Sequence, residues 1–529
     1  MLYTVLLHNK SKEYEGMYSR VITGAISGID SILAAVEVDA QKGMPGFEMV
    51  GQLNNEVREA KERVRVALKN TSVEIPPMRI TVSISPAEMR KEGASYDLPI
   101  AVGILVSLGL IPKEGIQDTL ILGELGLNGE VHSVRGVLPI VQKAKQEQVR
   151  RCILPLSNVR EGAVINEIEI IGVKSLSETI AYLREVEERK AQKISPAERT
   201  LIESFDAIDT DVDFAEINGQ EAVKRAVEVA AAGFHHMLMI GPPGSGKTMI
   251  AKRIPTILPD LSMEECLEVS TIYSVAGQLD DSRALITQRP FLDPHHTISD
   301  QALAGGGRIP RPGVISLAHR GVLFMDELPE FRRSTIEILR QPLEDKRIHI
   351  ARTYGNFIYP ADFMLVAAMN PCPCGYFPDR NHCNCSEADI RRYLSKISGP
   401  ILDRIDVVTE APRVDIHQLS ATVENERSAA IKARVMEARE RQKYRYRDTA
   451  YRFNAQLRSG DIRTYCKLGI DEQKMMEEVF AIMNLSARAY HKIIKVARTV
   501  ADLDGKDEIG TAHISEAVCY RRNDKEYWG

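Results

Sequence analysis

The chain has 529 residues, with 68 Lys and Arg against 73 Asp and Glu, a formal charge of −5, 44% apolar residues and eight cysteines. The length corresponds to about three domains at roughly 150 residues each, and the composition excludes a disordered tail protein, a collagen-like repeat and a disulfide-stapled secreted scaffold. The acidic balance argues against a uniformly basic nucleic-acid coat but leaves room for a local basic channel, because binding follows the distribution of charge rather than its sum.

In chain order, the opening MLYTVLLHNKSKEYEG lacks the basic start, long apolar middle and small-residue cleavage site of a secretory leader, so the cytoplasm is the expected compartment. Residues 1–185 read as a mixed α/β domain. Strand-like segments Ala34–Val38, Ile80–Ile84, Thr119–Leu122, Cys152–Leu154 and Ile168–Gly172 alternate with helical stretches Asn55–Lys69 and Leu98–Leu108. The most apolar run, Leu98–Ile111, is shorter than the ~18–20 residues a membrane span needs, so no membrane partner is expected. Asn128-Gly129 predicts a hairpin turn. Residues 186–212 are polar and charged and form the expected linker. Residues 213–417 are a glycine-rich α/β segment, and residues 418–529 are helical in pattern, rich in Ala, Glu, Arg and Lys.

Gly241-Pro242-Pro243-Gly244-Ser245-Gly246-Lys247-Thr248 is a complete G-x-x-x-x-G-K-[ST], with an apolar strand (MLMI) before it and a helical stretch (MIAKRIPTI) after it. Glycines let backbone amides and a helix N-terminus approach phosphates, Lys247 reaches the β/γ-phosphates of ATP, and Thr248 holds Mg²⁺. The acidic partner is Asp326-Glu327 behind the buried strand VLFM: Asp326 for the metal, Glu327 to polarise water. A third apolar strand, FMLVAAM, ends in Asn370, whose amide can hold the attacking water or sense the γ-phosphate.

Cys152, Cys266, Cys466 and Cys519 are scattered and read as packing residues, whereas Cys372, Cys374, Cys383 and Cys385 fall within fourteen residues as two C-x-C hooks. Four thiolates at this spacing suit a structural Zn²⁺. An iron–sulfur cluster and unligated thiols are the alternatives, and His382 is a substitute ligand.

The P-loop, VLFMDE, AAMNPCPCG, ILDRID and SARAYH blocks resemble the AAA+ ATPases of the magnesium-chelatase-like group. FLDPHHTIS and GGGRIPRPGVISLAHRGVLFMDELPEF narrow the resemblance to the ComM/YifB family. That resemblance implies Walker A at Lys247 and Thr248, Walker B at Asp326 and Glu327, sensor 1 at Asn370, an arginine finger acting in trans at Arg404 and sensor 2 at Arg488. It further implies a helical lid, a homo-hexameric ring with ATP between subunits, and a DNA helicase driving branch migration of incoming DNA during natural transformation, with recombination proteins as partners.

Residues 119–155 and Lys91-Glu-Gly-Ala-Ser95 resemble the proteolytic domain of Lon, with Ser95 near the nucleophile. Ile140 falls where the dyad lysine belongs, and Lys143 and Lys145 are displaced by about a helical turn, so an inactive Lon-like domain is expected. For DNA, the candidates are a hairpin over Lys346–Tyr359 with Tyr354 at its tip, Arg308, Arg311 and Arg352, and the basic stretch Arg427–Arg447 with Tyr444 and Tyr446. A chelatase-type motor remodelling a protein partner is the alternative function, and an ATP-dependent protease the less favoured third.

Overall fold

The structure is a computed structural model that describes residues 17–73, 75–87, 91–187, 194–200, 212–279, 284–308, 310–353, 355–413 and 425–528. The chain divides into two compact units, one of residues 1–203 with 270–286 and one of residues 204–269 with 287–529. Most of the expected linker lies outside the described residues. Of the part that is described, Ala197 donates its amide to Ile170 and Thr200 to Ala163, within the first unit.

The first unit holds a seven-stranded sheet in the order Gly46–Val50, Met78–Ser85, Asp30–Lys42, Met17–Ser27, Thr119–Ile121, Arg151–Pro155, Glu169–Val173. Asp30–Lys42 is antiparallel to both its neighbours, and the remaining pairings are parallel. Along Asp30–Lys42, Val36, Val38 and Ala40 are buried while Glu37 and Asp39 are not, the alternation of a strand with one covered face. The helix Asn55–Asn70 starts at Asn54, whose side chain accepts the Val57 amide at 2.9 Å. Every residue of the helix Asp97–Ser107 is buried, so the most apolar run of the sequence is a core helix. Gly103 allows its close approach: a Cβ there would stand 2.7 Å from Val38 Cγ2.

The second unit is built on a five-stranded, wholly parallel sheet in the order Phe291–Leu292, Val322–Met325, Met364–Met369, Met237–Ile240, Val407–Glu410. The three central strands are buried along their whole length, which is why they read as unbroken apolar runs. Helices Ser428–Arg445, Ala487–Leu503 and Thr511–Trp528 belong to the same unit. Ile431, Val435, Ile493, Ala497 and Ile514 join Met237, Val322 and Val366 in one hydrophobic core. No helix among the described residues is long and apolar enough to cross a membrane.

A buried polar network fastens the C-terminal helices. Asp502 is fully buried; it accepts from Arg445 through both guanidinium nitrogens (2.9 and 2.5 Å) and from Asn454 at 2.9 Å, and Arg498 stands 3.1 Å away. Removing one partner of such a set leaves buried charge uncompensated. Asp502→Ala is therefore expected to cost about 3–5 kcal/mol, read as a lower denaturant midpoint, with Asp502→Asn costing less.

Candidate nucleotide and metal site

Gly241 follows the strand Met237–Ile240 and donates its amide to Met369 O at 3.1 Å. A Cβ at Gly241 would stand 2.1 Å from Ala411 O, so only glycine fits between the two neighbouring strands. Gly244 (φ 75°) and Gly246 (φ 84°) take the left-handed conformation that turns the loop into the helix Lys247–Ile257. The Lys247 ammonium donates to Gly241 O (2.7 Å), Pro242 O (2.9 Å), Ser245 Oγ (3.3 Å) and Asn370 Oδ1 (3.4 Å). Burial pushes its pKa down, against the pull of the Asp326 and Glu327 carboxylates.

Thr248 Oγ1 donates to Asp326 Oδ2 at 2.5 Å, and the other Asp326 oxygen accepts the Glu327 amide at 2.9 Å. The hydroxyl and carboxylate form a pair of hard oxygen donors of the kind Mg²⁺ takes. Glu327 sits at φ 51°, a left-handed turn that leaves its carboxylate 60% exposed. Lys247, Thr248, Asp326, Glu327 and Asn370 thus converge at the carboxyl edge of one parallel sheet.

Three further residues join them. His296 Nδ1 stands 4.0 Å from Glu327 Oε2. Burial and the nearby Asp326 charge push the Asp293 pKa up. Gln220 donates to Ser245 O (3.2 Å) and Pro412 O (2.5 Å), tying the P-loop to the end of the outer strand. In the sequence, a two-residue apolar strand followed by Asp-Pro-His-His was the available signal for the first two. Gln220 offered none.

The structure does not bring Arg404 to this cluster within the subunit. Its guanidinium donates to Pro400 O at 2.6 Å and pairs with Glu344. Arg488 is exposed in the first turn of the helix Ala487–Leu503, which Ser486 caps by accepting the Ala489 amide. The two arginine segments are linked one step away: Lys492, on the Arg488 helix, donates to Ile405 O and pairs with Asp406, each at 3.0 Å. Burial opposes the charge of Asp406, yet Lys492 and His235 hold its carboxyl well below the ordinary carboxylate range.

The four clustered cysteines meet. Sγ atoms of Cys372, Cys374 and Cys383 lie 3.3, 3.7 and 3.5 Å apart, and all four, Cys385 included, fall within 4.8 Å of one another. A tetrahedral Zn²⁺ with bonds of about 2.3 Å sets its sulfurs about 3.8 Å apart, so the set fits the ion. His382 stands outside it, exposed and bonded to Asp379 at 2.6 Å. Of the scattered cysteines, Cys152, Cys266 and Cys466 are buried, but Cys519 is exposed and so is not a packing residue.

Arg347–Arg352 and Gly355–Pro360 form the expected hairpin, with Tyr354 outside the described residues. Ile348, Ile350 and Tyr359 are buried, whereas Arg347, His349, Asn356 and Ile358 are exposed. Gly305–Gly306 pairs with Arg311–Pro312, and Arg352 Nε donates to Gly307 O at 3.1 Å, so the hairpin is fastened to the glycine loop that carries Arg308 and Arg311, both exposed. The Arg427–Arg447 stretch forms a helix, Ser428–Arg445, whose arginines are mostly engaged inside the unit: Arg434 with Glu228 and Glu426, Arg439 over Phe453, Arg441 with Asp507.

In the first unit, Ser95 lies in the turn before the helix Asp97–Ser107. Ile140 is buried against Gly24, Lys143 pairs with Glu147 at 2.7 Å, and Lys145 pairs with Glu167 at 3.1 Å. Lys91 directs its ammonium to Pro86 O.

Comparison with known proteins matches residues 213–419 to a family described as magnesium chelatase, subunit ChlI, residues 36–158 to subunit ChlI of Mg-chelatase, and residues 425–521 to the ChlI C-terminal region. The chain is 41% identical over 508 residues to YifB of Escherichia coli K12, covering 96% of this chain and 97% of that one. It is 40% identical over 510 residues to the competence protein ComM of Haemophilus influenzae, covering 96% and 97%. It is also similar to Lon protease 2 of Bacillus subtilis, 28% identical over 222 residues, or 36% of this chain and 39% of that one.

The geometry gives two expected outcomes. Lys247→Ala weakens binding of a fluorescent ATP analogue about 10–100-fold, the scale of lost charge-assisted hydrogen bonds. Elemental analysis finds one zinc per chain in the wild type and in His382→Ala, and little in Cys383→Ser; full metal in the serine variant contradicts the four-cysteine set.

Proposed function

The chain belongs to the ComM/YifB family of magnesium-chelatase-like AAA+ proteins, and from that premise we propose that it is a ring-forming ATPase that moves DNA strands in branch migration, working in the cytoplasm during natural transformation. The observation that carries the ATPase reading is the convergence of Lys247, Thr248, Asp326 and Asn370 through side-chain hydrogen bonds at one sheet edge.

In this reading the P-loop amides and Lys247 bind the β/γ-phosphates, and Lys247 exchanges its carbonyl partners for phosphate oxygens. Thr248 and Asp326 would hold Mg²⁺, which would neutralise phosphate charge. Glu327 orients and polarises the water that attacks the γ-phosphorus, Asn370 fixes that water's position, and ADP leaves with the electron pair of the broken P–O bond. Arg404 serves the nucleotide of the neighbouring subunit in a homo-hexamer assembled with ATP, which accords with its absence from the site of its own chain. Arg488 reaches the phosphates from the helical lid. Cys372, Cys374, Cys383 and Cys385 hold a structural Zn²⁺.

DNA as the substrate is supported by Arg308, Arg311 and Arg352 gathered on a glycine loop and hairpin, and by the competence role in a relative's name. A chelatase-type motor acting on a protein partner is the second reading, supported by the chelatase family matches. A buried Ile140 in the place of a dyad lysine weighs against proteolysis.

Glu327→Gln is expected to bind ATP, form rings and not turn over. Arg404→Ala lowers turnover about 10³-fold while nucleotide binding persists. DNA stimulates wild-type ATPase, and the Arg308→Ala/Arg311→Ala double variant loses the stimulation and flattens its salt dependence. An intact ring whose ATPase ignores single-stranded, forked and junction DNA sinks the DNA reading in favour of a protein partner.

A further inference from the structure

A glycine of the four-cysteine knuckle abuts the P-loop. Gly375 follows Cys374 directly and donates its amide to Cys372 O at 3.0 Å, so its backbone is fixed by the residues between the first two thiols. It takes φ 86°, and a Cβ there would stand 2.4 Å from Pro243 Cδ and 2.9 Å from Pro243 Cγ. Pro243 is the second proline of the P-loop. Residues 371–385 contain no helix or strand; turn hydrogen bonds such as Cys383 N to Asp379 O (2.8 Å) and the four gathered sulfurs give the segment its shape. On its other flank the knuckle reaches the same loop indirectly. Arg413 lies over the Tyr376 ring at 5.4 Å, and the preceding Pro412 carbonyl accepts from Gln220, which also donates to Ser245 O in the P-loop.

Taking the ATP-site and four-cysteine readings as given, we propose that the metal knuckle is a brace for the P-loop, with Gly375 a positioning residue that holds Pro243 in place and so sets nucleotide affinity. The chain's affinity for ATP then depends on the metal state of a site that touches no phosphate. Lys247 and Gln220 hold the loop at Gly241, Pro242 and Ser245, and the contact with Gly375 adds a support at Pro243. Loss of metal frees Cys372 and Cys374 from each other, releases the Gly375 backbone and lets Pro243 relax away from the phosphate-binding conformation.

The test is a double-mutant cycle on the full-length chain, reading zinc content by elemental analysis and the affinity of a fluorescent ATP analogue by titration. Gly375→Ala presses a methyl group into the Pro243 ring from a left-handed backbone (φ 86°) that alanine rarely adopts; the expected result is retained zinc and affinity about tenfold weaker, the scale of overpacking strain. Trimming the ring by Pro243→Ala in the same chain removes the clash, so the double variant recovers toward the affinity of Pro243→Ala alone. Wild-type protein stripped of metal by a chelator weakens similarly and recovers on adding zinc. Zinc-loaded Gly375→Ala that binds the analogue like wild type overturns the brace, and so does weakened binding that Pro243→Ala fails to relieve. Should Gly375→Ala lose zinc, the stripped wild type decides: unchanged affinity overturns the proposal. Lys247→Ala, run alongside, tests the ATP-site reading separately, since its failure to weaken binding would implicate the site and not the brace.

Discussion

Register among three buried strands governs the nucleotide site. Ile240 pairs with Met369, so Gly241 and Asn370 leave the sheet side by side, and Met325 pairs with Ala367, so Asp326 emerges next to them. A one-residue slip in any strand turns its last side chain to the other face and breaks the Lys247–Asn370 or Thr248–Asp326 bond. The strands are apolar along both faces and buried, so packing alone does not fix their register, and the polar residues at their ends carry that specificity. Ligands of open parallel sheets collect at this edge because loops and helix N-termini converge there.

The C-terminal helices extend the same logic. They share the core of the sheet, and their polar ties run to the segment that carries Arg404: Lys492 to Asp406 and Ile405, and Arg521 to Ile405 O at 2.7 Å. A displacement of the Arg488 helix therefore has a direct mechanical route to Arg404. Within the chain, Glu344 pairs with the Arg404 guanidinium.

Local patterns in the sequence foretold the elements that build the nucleotide site and the cysteine cluster. The P-loop octet, the VLFM and FMLVAAM strands and the paired C-x-C hooks each carry their signal within fewer than fifteen residues. The strand Met17–Ser27 went unread because its alternation is weak, and its place is fixed by pairing with Asp30–Lys42 and Thr119–Ile121 rather than by its own composition. Contacts made across long separations were equally hidden. Glu344 meets Arg404 across 60 residues, His296 approaches Glu327 from the turn after the strand Phe291–Leu292, and Gly375 rests on Pro243; no spacing rule connects such pairs. The basic stretch Arg427–Arg447 reads in the sequence equally as an ordinary charged helix face, and in the structure Arg434, Arg441 and Arg445 are held in ion pairs with residues of the same unit.

A labelled four-way junction bears most directly on the claim that ATP turnover here moves DNA. Incubated with wild-type protein, ATP and Mg²⁺, the junction is expected to resolve into its duplex products, and Glu327→Gln should bind it without resolving it. A nucleotide-loaded ring that hydrolyses ATP and leaves the junction in place contradicts the account.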